Sequence, residues 1–208
     1  MFAIIQAAGW PIWPLIFCSI LALALIVERF ISLQPPKVAP VKLIDEVMAV
    51  TRGNLPSAEV VNKLASTSMM GEVLASGIRA VVAEPKITED RLRSVFEVSG
   101  RAAAHQLERY LNTLGTIASA APLLGLLGTV IGMIEIFGSQ SPTSGGNPTL
   151  LAHGVSIALY NTAFGLMVAI PTLMFYRYFR TRVDGFTLAI EQASEKLSWH
   201  LLRHSVKS

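Results

Sequence analysis

Between Arg109 and Glu135 the chain carries no charged residue, and from Ile136 to Tyr176 it carries none again. Two long apolar segments occupy this interval. TLGTIASAAPLLGLLGTVIGMIEIF starts at Thr113, LLAHGVSIALYNTAFGLMVAIPTLMFY starts at Leu150, and a short uncharged loop, GSQSPTSGGNP, joins them. At a rise of about 1.5 Å per residue, either segment can cross a hydrocarbon core of about 30 Å as a helix. Both are too long, and too free of alternation, for barrel strands. They predict a transmembrane hairpin of two helices.

The small residues of this hairpin are not scattered. In the first helix Ala118, Ala121, Gly125, Gly128, Gly132 and Glu135 recur at steps of three or four and share one face. In the second, Gly154, Ala158, Asn161 with Thr162, Gly165 and Ala169 do the same. Helices in lipid gain little from hydrophobic attraction to one another, so backbone approach along such stripes is a main means of association. Three arrangements fit the stripes: tight packing on several neighbours, a lumen narrowed by another helix, or glycine-rich packing inside one small bundle.

The remaining composition narrows the class. With 52% hydrophobic and 15% charged residues, and a mean hydropathy of +0.52, the chain is too apolar for an ordinary soluble domain. The formal net charge is +3, but the basic residues gather beside the apolar runs rather than in a stripe that would suit nucleic acid. Cys18 is the one cysteine, so a disulfide framework or a thiolate metal site within one chain is excluded.

A third apolar run precedes the hairpin. Residues 1–27 are uncharged, and Trp13 to Val27 is almost wholly apolar. Ala22-Leu23-Ala24 resembles a signal-peptide cleavage site, yet the start MFAIIQ lacks a positive n-region, which favours a retained helix from about Ile12 to Leu33. Trp10 and Trp13 suit an interface, and Pro11 and Pro14 suit a helix start. Gln34-Pro35-Pro36 breaks that helix. From Lys37 to Arg109 both charge signs intermix, and short amphipathic helices are expected near 40–52 (ending at Gly53), 57–66 and 70–83. Thr88 reads as an N-cap followed by Glu89 and Asp90, and one unbroken helix is expected from there to Phe137, with Pro122 as a kink. A polar helical tail follows the third apolar run, with Phe186, Ile190, Leu197 and Leu201 on one face.

The expected fold class is therefore an all-α membrane protein of three transmembrane helices, whose long helices extend into a helical cytoplasmic domain. Its segments are 1–33 (first span), 34–109 (cytoplasmic domain), 110–137 (second span), 138–148 (periplasmic loop), 149–176 (third span) and 177–208 (cytoplasmic tail). Orientation follows from Arg29, Lys37, Lys42, Arg109, Arg177, Arg180 and Arg182, all on one side of the spans. That side is cytoplasmic, and the N-terminus and the 138–148 loop face out.

No enzyme signature is present. GLLGTVIG is followed by no lysine, so it is not a phosphate loop. His105, His153, His200 and His204 form no HExxH; the spacing of His200 and His204 suits a metal, and a solvated tail face explains it as well. No cofactor or metal is expected. Polar groups inside the spans carry more information, because unpartnered ones are costly in hydrocarbon. These are Thr129 in the second span and Ser156, Tyr160, Asn161 and Thr162 in the third. Serine and threonine can satisfy themselves on their own helix, whereas the amide of Asn161 needs other partners. Glu135 lies towards the outer face, and folding the hairpin brings His153 near its level: a solvated interfacial pair, or a proton-accessible mouth.

These residues carry a resemblance. Pro122-Leu-Leu-Gly-Leu-Leu-Gly-Thr-Val-Ile-Gly132 and Leu159-Tyr-Asn-Thr-Ala-Phe-Gly-Leu-Met-Val-Ala-Ile-Pro171 resemble the second- and third-helix motifs of the MotA/TolQ/ExbB proton-channel family. The order of elements resembles it too, and three spans at this length are more similar to ExbB and TolQ than to the flagellar stator protein. The resemblance implies a homo-oligomeric ring, usually a pentamer, around the membrane helices of an ExbD- or TolR-like partner that supplies an intramembrane aspartate. It implies proton-driven work passed to a TonB- or TolA-like protein. The family's two pore threonines fall on Thr129 and Thr162. The glutamate that better-known members have five residues before the second threonine is Ile157 here. A TolQ-like role, a non-conducting oligomeric scaffold, and a small transporter or enzyme subunit stay open. The missing acid favours the scaffold; the transporter predicts substrate-binding charge at mid-membrane, and none is present.

Overall fold

A computed structural model describes residues 9–52, 56–138 and 148–205; of 148–151, 153, 157, 204 and 205 it describes the backbone. Among the described residues there is no strand, and the fold is all-α. The helices are α1 (Ile12–Ser32), α2 (Pro35–Val38), α3 (Leu43–Thr51), α4 (Ala58–Thr67), α5 (Met69–Ala83), α6 (Glu89–Glu108), α7 (Leu111–Gly138) and α8 (Pro148–Ser205). Three stretches are long and apolar enough to cross a membrane, and they lie in α1, α7 and α8. The chain divides into two compact units: an apolar unit of residues 1–28 and 110–178, and a mixed-charge unit of 29–109 and 179–208.

In the apolar unit the three long helices meet through Leu15 and Ala22 of α1, Ile117 and Ala121 of α7, and Val168 and Ala169 of α8. Cys18, Leu124 and Phe164 pack on this core. The outer faces are the reverse of a soluble protein. Phe17, Ile20, Leu123, Ile134, Met167 and Met174 are all more than half exposed. Each such side chain would cost on the order of 1.5–3 kcal/mol to leave in water, and nothing in lipid.

The mixed-charge unit is an ordinary amphipathic core. α5 packs on both α4 and α6, burying Val73, Leu74 and Ile78 beside Leu92 and Phe96. Ser68 caps α5 by accepting from the Gly71 amide at 3.0 Å. Phe179, Val183, Ile190, Ala193, Leu197 and Leu201 form the buried stripe of the α8 tail, at the three-and-four spacing of a core-facing helix. Phe186, expected on that face, is only half-buried. The Phe30 ring meets Phe179 edge-on at 5.0 Å.

One expectation is corrected, and three gain detail. The helix from Thr88 is not continuous: α6 stops at Glu108, and Tyr110 adopts a φ of +66° before α7 begins. Thr88 occupies the N-cap position of α6, but its side chain makes no cap hydrogen bond. α1 ends at Ser32, before Gln34-Pro35-Pro36 as expected, and the two prolines open the one-turn α2, where their missing amide donors go unneeded. α3 ends at Thr51, whose hydroxyl bonds back to the Val47 carbonyl at 2.8 Å; Gly53 lies outside the described residues.

Candidate functional site

α7 and α8 run antiparallel, and their register is set by residues without side chains. A Cβ built on Gly165 would lie 2.6 Å from the Ala121 carbonyl oxygen, and one on Gly125 would lie 2.7 Å from that of Asn161. One on Gly128 would meet the Asn161 side chain at 2.8 Å, and one on Gly132 would lie 3.1 Å from the Cβ of Ala158. Further out, a Cβ on Gly154 would meet Ile136 at 2.5 Å. Contacts below 3.0 Å do not occur for real Cβ atoms, so larger residues here would push the backbones apart. The two small-residue stripes therefore face each other within one chain.

This close approach builds a polar cluster in the middle of the apolar unit. The Thr162 hydroxyl donates across the interface to the Gly125 carbonyl at 3.2 Å and lies 3.4 Å from the Thr129 hydroxyl. Thr129 itself donates to the Leu126 carbonyl of its own helix at 2.6 Å. Its oxygen keeps lone pairs for an incoming donor, so Thr162 has two acceptors for one proton. Two side chains 33 positions apart thus touch because the glycines beside them let the helices close. Asn161, next to Thr162, is 2% exposed and lies against Gly128.

The other residues singled out in the sequence are placed differently. Ser156 bonds back to the Ala152 carbonyl at 2.9 Å and is exposed. Tyr160 is about half exposed. Glu135 is exposed near the end of α7. The side chains of His153 and Ile157 lie outside the described residues, as does the 139–147 stretch of the loop. Pro122 and Pro171 sit inside α7 and α8 without ending either helix. The threonines, Asn161 and the glycines come together; Ser156 and Tyr160 do not join them. What went unrecognised in the sequence is that Asn161 and Gly128 are partners, although an amide and a glycine on facing small-residue stripes are the signal for it.

Comparison with known proteins fits this arrangement. Residues 65–192 match the MotA/TolQ/ExbB proton channel family. That span holds the whole of α7 and every residue of the cluster. The chain belongs to this family. It is similar to the ExbB-like 3 biopolymer transport protein of Synechocystis sp., with 34% identity across 91% of this chain and 90% of that protein. It is similar also to biopolymer transport protein exbB1 of Vibrio cholerae, with 32% identity across 81% of this chain and 74% of the relative. The ExbB protein of Pseudomonas putida is 30% identical across 68% of this chain and 44% of its own length. An ExbB-like membrane protein of the proton-channel family is thus the coarse description of this chain.

Proposed function

We propose that the chain is the ring-forming, proton-conducting subunit of an ExbB–ExbD-type motor in the bacterial inner membrane, working for TonB-dependent transport across the outer membrane. The observation that carries this reading is the contact of Thr129 and Thr162 across a glycine-set interface. A hydroxyl pair held at mid-span can pass or stabilise a hydrogen-bonded water or acid, beyond the interhelical hydrogen bond it gives the hairpin.

Hydroxyls and amides do not titrate near neutral pH, so a carboxylate must complete the path. Ile157 offers none where the family glutamate stands. In this reading the central acid is the intramembrane aspartate of an ExbD-like single-helix partner, and the ring supplies hydrogen bonds from Thr129, Asn161 and Thr162. Five copies of the chain surround the partner helices. The exposed apolar faces of α1, α7 and α8 are shared between lipid, neighbouring copies and the partner. The basic residues flanking the spans favour a cytoplasmic mixed-charge unit and a periplasmic loop after α7.

The test is co-expression with the cognate partner and measurement of TonB-dependent uptake. Thr162→Val and Asn161→Leu are expected to impair uptake with the complex assembled, and the partner's Asp→Asn to abolish it. Full uptake by both ring variants overturns the proposal.

A further inference from the structure

Inside the apolar unit, a cavity of about 210 Å³ lies between α7, α8 and the start of α1. Its walls are largely backbone and small side chains, Gly128 and Gly132 on α7 and Ala158 on α8, with Trp10 over it. Besides the Trp10 indole N–H, two of its lining side chains carry hydrogen-bonding groups suited to water or ions. Asn161 stands at the inner end, against Gly128; Glu135 stands at the outer end, exposed. Gly128 and Glu135 are seven residues apart on one helix, so the cavity runs about 10 Å along it.

A space of this size has room for about seven waters at the volume each occupies in the liquid. An apolar cavity stays dry, but one with a carboxylate at its mouth and a primary amide at its floor offers water the polar partners it needs. The residues after the two at the floor, Thr129 and Thr162, form the hydroxyl pair. The cavity thus leads from an exposed acid to Asn161, the neighbour of Thr162, without leaving the subunit.

We infer that this cavity is a hydrated proton vestibule within each subunit. Glu135 is the carboxylate at its mouth, and Asn161 orients the innermost water. The inference rests on the proton-channel reading and extends it. Protons arrive at the periplasmic end, not only along the space between ring and partner. Glu135 takes a proton from a hydronium ion of the bulk, leaving water, and releases it to the first water of the file. Each water then accepts one proton and gives up another, so a charge moves inward and no bond is left broken. Asn161 is not protonated; its NH2 donates and its carbonyl accepts, which holds the last water facing the threonines. Glu135 also supplies this chain with a carboxylate that position 157 lacks.

The test has two independent readouts on the ring assembled with its cognate partner. In a Cys18→Ser background, Ala158→Cys and, on another wall of the cavity, Ile131→Cys are exposed to silver ion from the periplasmic side. Protection from later alkylation under denaturing conditions is then scored. Met167→Cys, on the exposed apolar face, is the control. At least one cavity thiol is expected to be protected about tenfold faster than the control, since reaction needs water to reach and ionise the thiol. Equal, slow protection at all three positions means the cavity is dry and overturns the inference. The second readout is proton flux in vesicles, where Glu135→Gln is expected to cut flux by about tenfold without abolishing it. Unchanged flux overturns the role of Glu135. An assembled complex with fast silver protection and no proton flux even when unmodified supports a wet cavity while contradicting the channel reading, so the two failures are distinguishable.

Discussion

The Arg29 guanidinium donates to the carbonyl oxygen of Leu107 at 3.0 Å, and Arg29 is 3% exposed. Leu107 is in the last turn of α6, where carbonyls have no amide partner within the helix. A cation from α1 thus caps the C-terminus of α6, favoured by the helix dipole as well as by the bond itself. Glu108, one residue on, pairs with Arg180 at 2.9 Å, but both are well exposed and that pair contributes little. Arg29→Ala is expected to destabilise the protein by about 1–3 kcal/mol, the cost of a buried carbonyl left without a donor. Arg29→Lys should recover part of it. Thermal unfolding in detergent is the measurement, with Glu108→Gln as the near-neutral comparison.

Two residues after that helix ends, Tyr110 holds a φ of +66°, a region costly for any residue with a Cβ and worst for β-branched ones. Tyr110→Ile is therefore expected to be less stable than Tyr110→Gly by about 1–2 kcal/mol. Equal stability of the two variants would mean that α6 and α7 join without this left-handed residue.

Glycines in this chain divide into those that face another backbone and those that face open space. Gly128→Leu or Gly165→Leu should cost about 3 kcal/mol or prevent the hairpin from closing. At Gly100 and Gly185 an added Cβ would meet nothing within 4 Å, and both lie inside helices. Gly100→Ala and Gly185→Ala should therefore each stabilise by about 0.5–1 kcal/mol through helix propensity. Circular dichroism melts of the four variants check the contrast, with native mass measurement to report oligomers.

The three spans were legible because charge-free apolar runs of this length have one stable solution in a bilayer. The threonines were legible through motif resemblance, and the stripes through their spacing. Which partner each stripe faces was not, since a glycine face reads the same whether it packs within a chain or between chains. The approach of Gly125 to Asn161 and of Gly165 to Ala121 supplies the partner within the chain. The break at Tyr110 was hidden because no glycine or proline marks it; the cap from Arg29, distant in sequence, accompanies it. The cavity between Glu135 and Asn161 was hidden for a similar reason. It is made by the absence of side chains on neighbouring helices, and its two polar ends are 26 positions apart in the chain.

Orientation has its own test. A cysteine at position 144 in place of Ser144 should react with an impermeant thiol reagent added from the periplasm, and one replacing Ser66 should react only from the cytoplasm. The opposite labelling would reverse the topology drawn from the arginines.

In the proposed motor, a mid-span hydroxyl pair of this subunit serves proton flow completed by a partner's acid. Proton flux into vesicles carrying the chain with its cognate single-helix partner measures this directly. Flux is expected to need both proteins and to fall by about five- to thirtyfold in Thr162→Val, the equivalent of about 1–2 kcal/mol for one lost hydrogen bond. Flux that is undiminished in Thr162→Val, or absent from a fully assembled unmodified complex, would contradict it.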